Sequence, residues 1–556
     1  MIFPSSLPAF ARPVRFVRFT VAAAAAVFLF GSIPRAAPAP ELTRKLDQLF
    51  ARWDQPDAPG VIVGVALAGE TIHARGYGLA NLEHAIPLRA DTVTESGSVA
   101  KQFTAAAVAL LHVRGKLSLD DPIRKHLPEL SERLAGRITV RMLLNHTSGL
   151  RDIHGLFDLM GRPSYSAEHD AAEVLRVFSR QRDTNFFPGS EYLYCNGSYA
   201  LVPTLVARVA GKSFADFCAA ELFGPLGLTA TRWRDPFTAV VPGRATGYAP
   251  RAGGHAIDLP YSNLIGNGGL LTTVGDQLKW AASFAAPAGE WAEVVRLLQT
   301  PSRLNDGRVL DYGLGLTVET LPGGLLELSH GGATSGFRTY LATIPEKRFA
   351  VALLANTADF EGGALARSVA QAVLDLPRAP RPPPRTDVSA GDLAALAGLY
   401  HSAAADARLM VAVRGTALTL GGAEVRPIGP RKFAAGIRTV AEFSEETPRR
   451  LTVTTTNGVT TYVAVPPARP DAAALAAYAG TYYSEELDTA RDVVERDGAL
   501  WVENWPAVPV RATPTFADGF NFGRGWHSTF TRDAAGRVDG VELTNGRCRR
   551  IRFVRR

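Results

Sequence analysis

The stretch "TESGSVAKQFTAAAVALLHVRGKLSLDD" places Ser98 three residues before Lys101 at the start of an apolar run with helical spacing. Positions i and i+3 share one face of a helix, so a hydroxyl and an amine are brought together. At the helix start the positive end of the dipole favours negative charge developing on the serine oxygen. A lysine with its ordinary pKa near ~10.4 is protonated at neutral pH, and to act as a base it must be desolvated or set beside another cation. The apolar run after it offers such a setting. A lone Ser-x-x-Lys also arises readily by chance in a chain of this length. The lysine usage adds weight: the chain holds eight lysines against 52 arginines, and only Lys101 has a serine three residues earlier. A sequence that otherwise chooses arginine has reason to place lysine where the side chain must lose its proton, which arginine does not do.

Two further segments carry reactive side chains. In "FFPGSEYLYCNGSYALVPTLVARVAG", Tyr194 and Asn196 lie in a turn-like segment between a Pro-Gly and a helix ending at Gly211. In "LELSHGGATSGFRTYLATIP", His330, Gly331 and Gly332 stand at the head of a strand-like run. Together with "LLNHTSGL" (145–150 at its centre) and "GNGGLLTTVGDQLKW" (266–280), this order of segments resembles the serine penicillin-recognising hydrolases. That superfamily includes class C β-lactamases, D,D-carboxypeptidases, related esterases and D-aminopeptidases, and the Ser-x-x-Lys motif belongs to it. The resemblance covers roughly residues 41 to 375, and its specificity lies in five segments in the right order.

The resemblance implies Ser98 as nucleophile, Lys101 as its activating partner and Tyr194 as the group that passes the proton to the leaving group. It implies that Asn196 hydrogen-bonds substrate and Lys101, and that the backbone N–H groups of Ser98 and Ala333 face the tetrahedral oxygen. His330 stands where many relatives carry the lysine of Lys-Thr-Gly, a departure found among esterase-like and aminopeptidase-like members that counts against β-lactamase activity. An imidazole of ordinary pKa near ~6.5 is mostly neutral at pH 7, so the fixed cation that would hold a substrate carboxylate is lost. Gly331 and Gly332 let a substrate approach the strand backbone. "PYSNL" holds a rival Tyr-x-Asn at Tyr261 and Asn263, but its flanks lack the Pro-Gly and following helix that match the family at Tyr194. His146 reads as structural in a tight turn, and Cys195 as a small buried side chain. The histidines show no metal-ligand spacing, so neither metal nor cofactor is expected.

The elements that must position these groups alternate along the chain. "ELTRKLDQLFARW" has helical spacing, "GVIVGVALAGETIHARGYG" reads as a hairpin, "TYLATIPEKRFAVALLAN" as two strands around a turn, and "GGALARSVAQAVLDL" as a helix. Strands at both ends with helices between them predict an α+β fold: an antiparallel sheet flanked by helices over 41–375. "PRAPRPPPRTD" breaks the pattern and marks a stiff linker over 376–390. Beyond it "DLAALAGLYHSAA" parallels "ALAAYAGTYYSEE", with Tyr400 matching Tyr482, and Asn457 matches Asn545 near the ends of the two copies. Alternating Val, Thr, Leu and aromatic residues with Asn-Gly and Asp-Gly turns predict two small antiparallel β-barrel domains, 391–468 and 469–556.

The bulk numbers bound the function. At 556 residues the chain should divide into domains, and 46% hydrophobic with 20% charged residues describes a globular protein. The formal charge of +7 falls to about +3 without the four arginines of residues 1–39, which does not suggest a nucleic-acid partner. Those residues pair arginines with "FTVAAAAAVFLFGSI", too short to span a bilayer comfortably. They read as a signal peptide, with an uncleaved anchor as the lesser alternative, giving a periplasmic or secreted protein with no stable membrane insertion after cleavage. Three cysteines supply no disulfide framework, and no bridge is expected. A homodimer is left open.

A catalytic domain with His-Gly-Gly followed by two β domains is similar in layout to the D-aminopeptidases of the superfamily. It implies acyl-enzyme hydrolysis of peptides or amides with an N-terminal D-residue such as D-alanine. The alternative enzyme is a D,D-carboxypeptidase, an esterase or a class C-like β-lactamase; the alternative without turnover is an exported penicillin-binding-like binding protein. The layout also implies that a loop of the last barrel reaches the site. The candidate is "TPTFADGFNFGRGWH", with Asp518 to pair with an ammonium group, although its Asp-Gly also suits an ordinary hairpin tip.

Overall fold

A computed structural model describes residues 40–556 except 165–166, 377–384, 437, 506–507 and 524. Residues 1–39, read above as a signal peptide, and the proline run of the expected linker lie outside the described residues. The hydrophobic run "VIVGVAL" forms the strand Val61–Leu67, which pairs on one side with Glu70–Tyr77. On the other side it meets Phe349–Ala355, so that Val61 lies opposite Ala355. Strands Phe337–Ile344, Leu326–Thr334 and Thr317–Thr320 continue the sheet, all antiparallel. Chain segments from both ends of the domain thus close one six-stranded sheet, as the sequence pattern predicts.

Both faces of this sheet are buried, which explains the near-continuous apolar runs of its central strands. One face packs Val61, Val63, Val65, Val351 and Leu353 against the helices Pro40–Phe50 and Gly362–Leu374. The opposite face meets the helical region, where Gly64 lets the helix Val274–Ala282 come close: a β-carbon there would lie 2.9 Å from that of Val274. At the centre of that region runs the helix Ala100–Val113, buried on all sides from Ala100 to Leu111. Its alanines let neighbouring helices approach closely, and this dense packing removes water from around Lys101.

The C-terminal part forms two closed eight-stranded barrels, Gly398 to Val465 and Gly480 to Arg555. Their duplication is visible in detail. Each follows a short helix, Ala390–Leu396 or Ala472–Ala476, and in each the matching tyrosine is buried and donates to a carbonyl four residues back. Tyr400 bonds Leu396 O at 2.8 Å and Tyr482 bonds Tyr478 O at 2.6 Å. The matching Asn-Gly hairpins both face the catalytic domain: Asn457 Oδ1 accepts from the Asp311 N–H, and the Asn545 hairpin meets residues 152 and 185.

The two barrels are attached differently. The first keeps an apolar cluster of its own around Tyr400, Phe433 and Phe443. The second shares one continuous apolar core with the catalytic helices, including Trp505, Trp526 and Cys548. Between the barrels the half-buried Arg408 guanidinium donates to Phe520 O at 2.7 Å and Ser528 O at 2.6 Å. No described helix is long and apolar enough to cross a membrane.

Candidate active site

Ser98 lies in the single turn Gly97–Val99 that leads into the Ala100–Val113 helix. Lys101, fully buried, reaches back to it with Nζ 3.1 Å from Ser98 Oγ. The same Nζ donates to Asn196 Oδ1 at 2.9 Å and to the Asn267 carbonyl at 2.6 Å. The two amide oxygens can only accept. A neutral amine gives its two hydrogens to them and leaves its lone pair directed at Ser98, while a protonated one must point a third hydrogen there. Burial pushes the Lys101 pKa down to about 7, aided by the Arg547 charge and opposed by Asp152 and Cys195. The neutral form is therefore well populated near neutrality.

Glycines bring the turn and the strand edge together. A β-carbon on Gly97, whose φ is +51°, would lie 2.6 Å from Ala333 N, so the backbone of Ala333 sits directly across from the nucleophile turn. One on Gly332 would lie 2.1 Å from both Ser96 O and Thr339 Oγ1. Gly331 differs, its nearest such neighbour being 3.6 Å away. Gly332→Val is therefore expected to cost about 2–4 kcal/mol in urea unfolding and to impair turnover, whereas Gly331→Ala should stay within about 1 kcal/mol of wild type.

Tyr194 projects from the segment before the helix Asn196–Ala210, which Cys195 caps by accepting from the Ser198 N–H and which Gly211 ends at φ +68°. The Tyr194 hydroxyl is buried and faces Ser98 without a completed hydrogen bond among the described residues. Burial raises its pKa, so it is a neutral phenol able to donate. Lys101 Nζ lies 4.9 Å from the centre of its ring. Asn196 is held by its own N–H, which donates to Asp152 Oδ2 at 2.8 Å. Tyr261, the rival, is an exposed side chain.

His330 lies within the strand Leu326–Thr334 rather than at its head. Its Nδ1–H donates to Gly331 O at 2.6 Å, which leaves Nε2 to accept from the Tyr312 hydroxyl at 3.0 Å. Burial, with the nearby Lys101 charge, pushes its pKa down to about 4. His330 is thus neutral with both ring nitrogens engaged, which suits positioning better than proton transfer. His146, at φ +61°, accepts the Cys195 N–H at Nδ1 and packs its ring 4.2 Å from that of Tyr194, a structural role. The three cysteines are free and buried.

These groups line a cleft of about 1210 Å³ whose walls include Ser98, Tyr194, Asn196, His330 and Ala333, and also Trp526, Asn545 and Arg547 of the second barrel. Asp518 is not among them. Its carboxylate pairs with Arg532 at 2.7 Å and accepts from Tyr478 at 2.8 Å, beside a separate hollow of the barrel. The Asp-Gly turn folds toward a strand arginine of its own domain, and the expected ammonium contact at Asp518 is corrected accordingly. The other end of the same stretch does reach the cleft: Trp526 Nε1 donates to Asp158 Oδ2 at 2.9 Å.

Asn267, Asp152, Tyr312 and Arg547 are additions that no local pattern marked as partners of the site. For Asn267 a signal existed in the Gly-Asn-Gly-Gly of residues 266–269, where two positive-φ glycines turn the backbone so that its carbonyl meets Lys101. For Arg547 the signal was the Asn-Gly turn that repeats Asn457. Among the described residues no cluster of His, Cys, Asp and Glu could hold a metal ion.

The Beta-lactamase family model matches residues 46–375. D-aminopeptidase of Brucella anthropi is 31% identical over 311 residues, 55% of this chain and 57% of that protein. D-aminopeptidase of Brucella ovis is 31% identical over 341 residues, 60% of this chain and 62% of that protein. The matched segment thus spans about six-tenths of these relatives. Among solved structures, the octameric penicillin-binding protein homologue from Pyrococcus abyssi superposes with a TM-score of 0.53 at 20% identity, over 76% of this chain and 99% of the other. A structure titled SurE gives 0.52 at 21% identity over 93% of this chain and 98% of that one. Both likenesses are of fold.

Proposed function

The chain belongs to the beta-lactamase family, and from that premise we propose that it is a D-aminopeptidase working through an acyl-enzyme on Ser98. The observation that carries the mechanism is the buried Lys101, placed 3.1 Å from Ser98 Oγ with its other hydrogens engaged by Asn196 and Asn267. Neutral Lys101 takes the Ser98 proton as Oγ attacks the substrate carbonyl. The backbone N–H groups of Ser98 and Ala333 receive the oxyanion. Tyr194, kept protonated by burial, gives its proton to the departing amine and takes back the one that Lys101 received from Ser98. Water then cleaves the acyl-enzyme by the reverse use of the same groups.

The specificity for an N-terminal D-residue is supported by the relatives named D-aminopeptidase and by the neutral His330 in the strand. With Asp518 paired elsewhere, the substrate ammonium falls to Asp158 or Glu361, the acidic residues in the cleft lining. The arginine-flanked apolar run near the N-terminus supports export to the periplasm or beyond. The test of the activity is hydrolysis of D-Ala-p-nitroanilide beside its L isomer, and the expected result is at least about tenfold preference for D. Equal rates, or neither amide cleaved while simple esters are, would remove the D-aminopeptidase reading and leave an esterase.

A further inference from the structure

The second barrel brings to the cleft a cation that has no ion-pair partner among the described residues. Arg547 is exposed in the cleft wall, and its guanidinium makes no hydrogen bond or ion pair among the described residues. Its contact is with the face of Tyr194, whose ring centre lies 5.0 Å from the guanidinium carbon. The other two arginines of the lining are bonded: one to a carboxylate, the other through Nη1 to backbone carbonyls. Arg234 pairs with the buried Glu95 at 2.5 Å, and Arg338 donates at 2.8 Å to the carbonyls of Ser335 and Phe337. His330, on the strand edge, is neutral and engaged at both nitrogens.

The backbone beneath Arg547 is fixed. Asn545 Oδ1 accepts from the N–H groups of Arg547 and Cys548 at 2.8 and 2.7 Å. The Arg547 carbonyl accepts from Asn185 Nδ2 at 2.9 Å and from the Asp152 N–H at 3.2 Å. On the next side, Arg549 N–H donates to Asn185 Oδ1 at 2.7 Å. Bonds from the catalytic domain therefore hold the loop in place, so the backbone that carries the guanidinium is ordered before any ligand arrives, which lowers that part of the ordering cost of binding.

We propose that Arg547 binds a carboxylate on the leaving residue, so that the preferred substrates are peptides whose departing amino acid is carboxy-terminal, dipeptides foremost. This rests on the acyl-enzyme reading, in which Tyr194 protonates the departing amine. A guanidinium stacked over Tyr194 stands on the leaving-group side of the cleft. An α-carboxylate is two bonds from the amine that Tyr194 serves, and the planar fork of Arg547 suits its two oxygens.

The test uses two substrate pairs that differ only in a leaving-group anion: D-Ala-Gly against D-Ala-glycinamide, and 3-acetoxybenzoate against phenyl acetate. The readout is the ratio of kcat/KM for acid over neutral member, in which general damage to the enzyme cancels. R547M should lower that ratio by about 10- to 100-fold from its wild-type value; R547E should lower it further, and R547K should restore part of it. An unchanged ratio in R547M and R547E overturns the assignment. Should the peptides resist cleavage while the ester ratio still depends on Arg547, the D-aminopeptidase reading and the dipeptide preference fall, and Arg547 as the ligand of a leaving-group carboxylate stands. Should the peptides be cleaved with a ratio indifferent to Arg547, the reverse holds.

Discussion

Ser98→Ala is expected to lower kcat/KM on any substrate of this protein by at least about 10⁴-fold, because the oxygen that forms the acyl-enzyme is gone. The substitution is structurally mild. Ser98 is half-buried, and its Oγ receives one hydrogen bond, from Lys101. The turn it occupies is set by other atoms, with the Ser96 N–H held by Leu270 O and Ser96 O receiving Thr339 Oγ1. Folding should therefore survive, and intact-protein mass measured after a fluorophosphonate should show an adduct in wild type and none in the variant. A variant that keeps turnover within tenfold of wild type would place the chemistry elsewhere. A wild-type protein inert to the probe would revive the reading of a binding protein without turnover.

What could be read in the sequence follows the range of the interactions. Ser98 and Lys101 meet within one helical turn, so their relation shows in spacing alone. The sheet is legible because apolar runs such as "FAVALLA" must be buried on both faces. The barrels are legible because the same tyrosine and the same Asn-Gly hairpin occur twice. Lys101's other partners come from Asn196 and Asn267, far along the chain, and no periodicity reports which carbonyl a glycine-rich loop will aim inward. The family resemblance supplied Asn196 but not Asn267.

Asp518 shows the opposite failure, in which a local pattern suggested too much. An Asp-Gly turn near the end of the chain looks like an exposed tip with a free carboxylate. Its strand neighbour Arg532 claims that carboxylate, and the Tyr478 hydroxyl completes its shell. The cleft instead receives Trp526 and Arg547, so the barrel contributes an indole and a cation where a carboxylate was expected. The first barrel's equivalent hairpin meets Asp311, and Arg438 pairs with Glu319 and Asp311. One duplicated device thus docks both barrels, and only in the second copy does it carry a side chain into the cleft. Burial of the second barrel's core against the catalytic helices makes that position permanent, a consequence of packing that a repeat pattern alone does not reveal.

Lys101 gives the second large effect, and it separates a base from a strut. Lys101→Arg installs a side chain that stays charged, and kcat/KM should fall by about 10³-fold or more. In wild type kcat/KM should rise with pH through about 7, where Lys101 loses its proton. His330, at about 4, titrates too low to produce that limb, and Tyr194 too high. The same pKa has a thermodynamic side. An unfolded lysine holds its proton up to its ordinary value of 10.5, whereas the folded one releases it near 7. Between those values the unfolded state binds more protons, so stability rises with pH across the window; the penalty is full below about 7 and absent above 10.5. Lys101→Met should flatten that slope and stabilise the protein at pH 7 by about 1–3 kcal/mol, less than the whole penalty because two carbonyl acceptors lose their donor. Urea unfolding of both proteins from pH 6 to 10 measures the slope directly. A loss of stability in the methionine variant, together with an activity limb well above pH 8, would mean that the buried amine holds its proton and that Ser98 draws on another base.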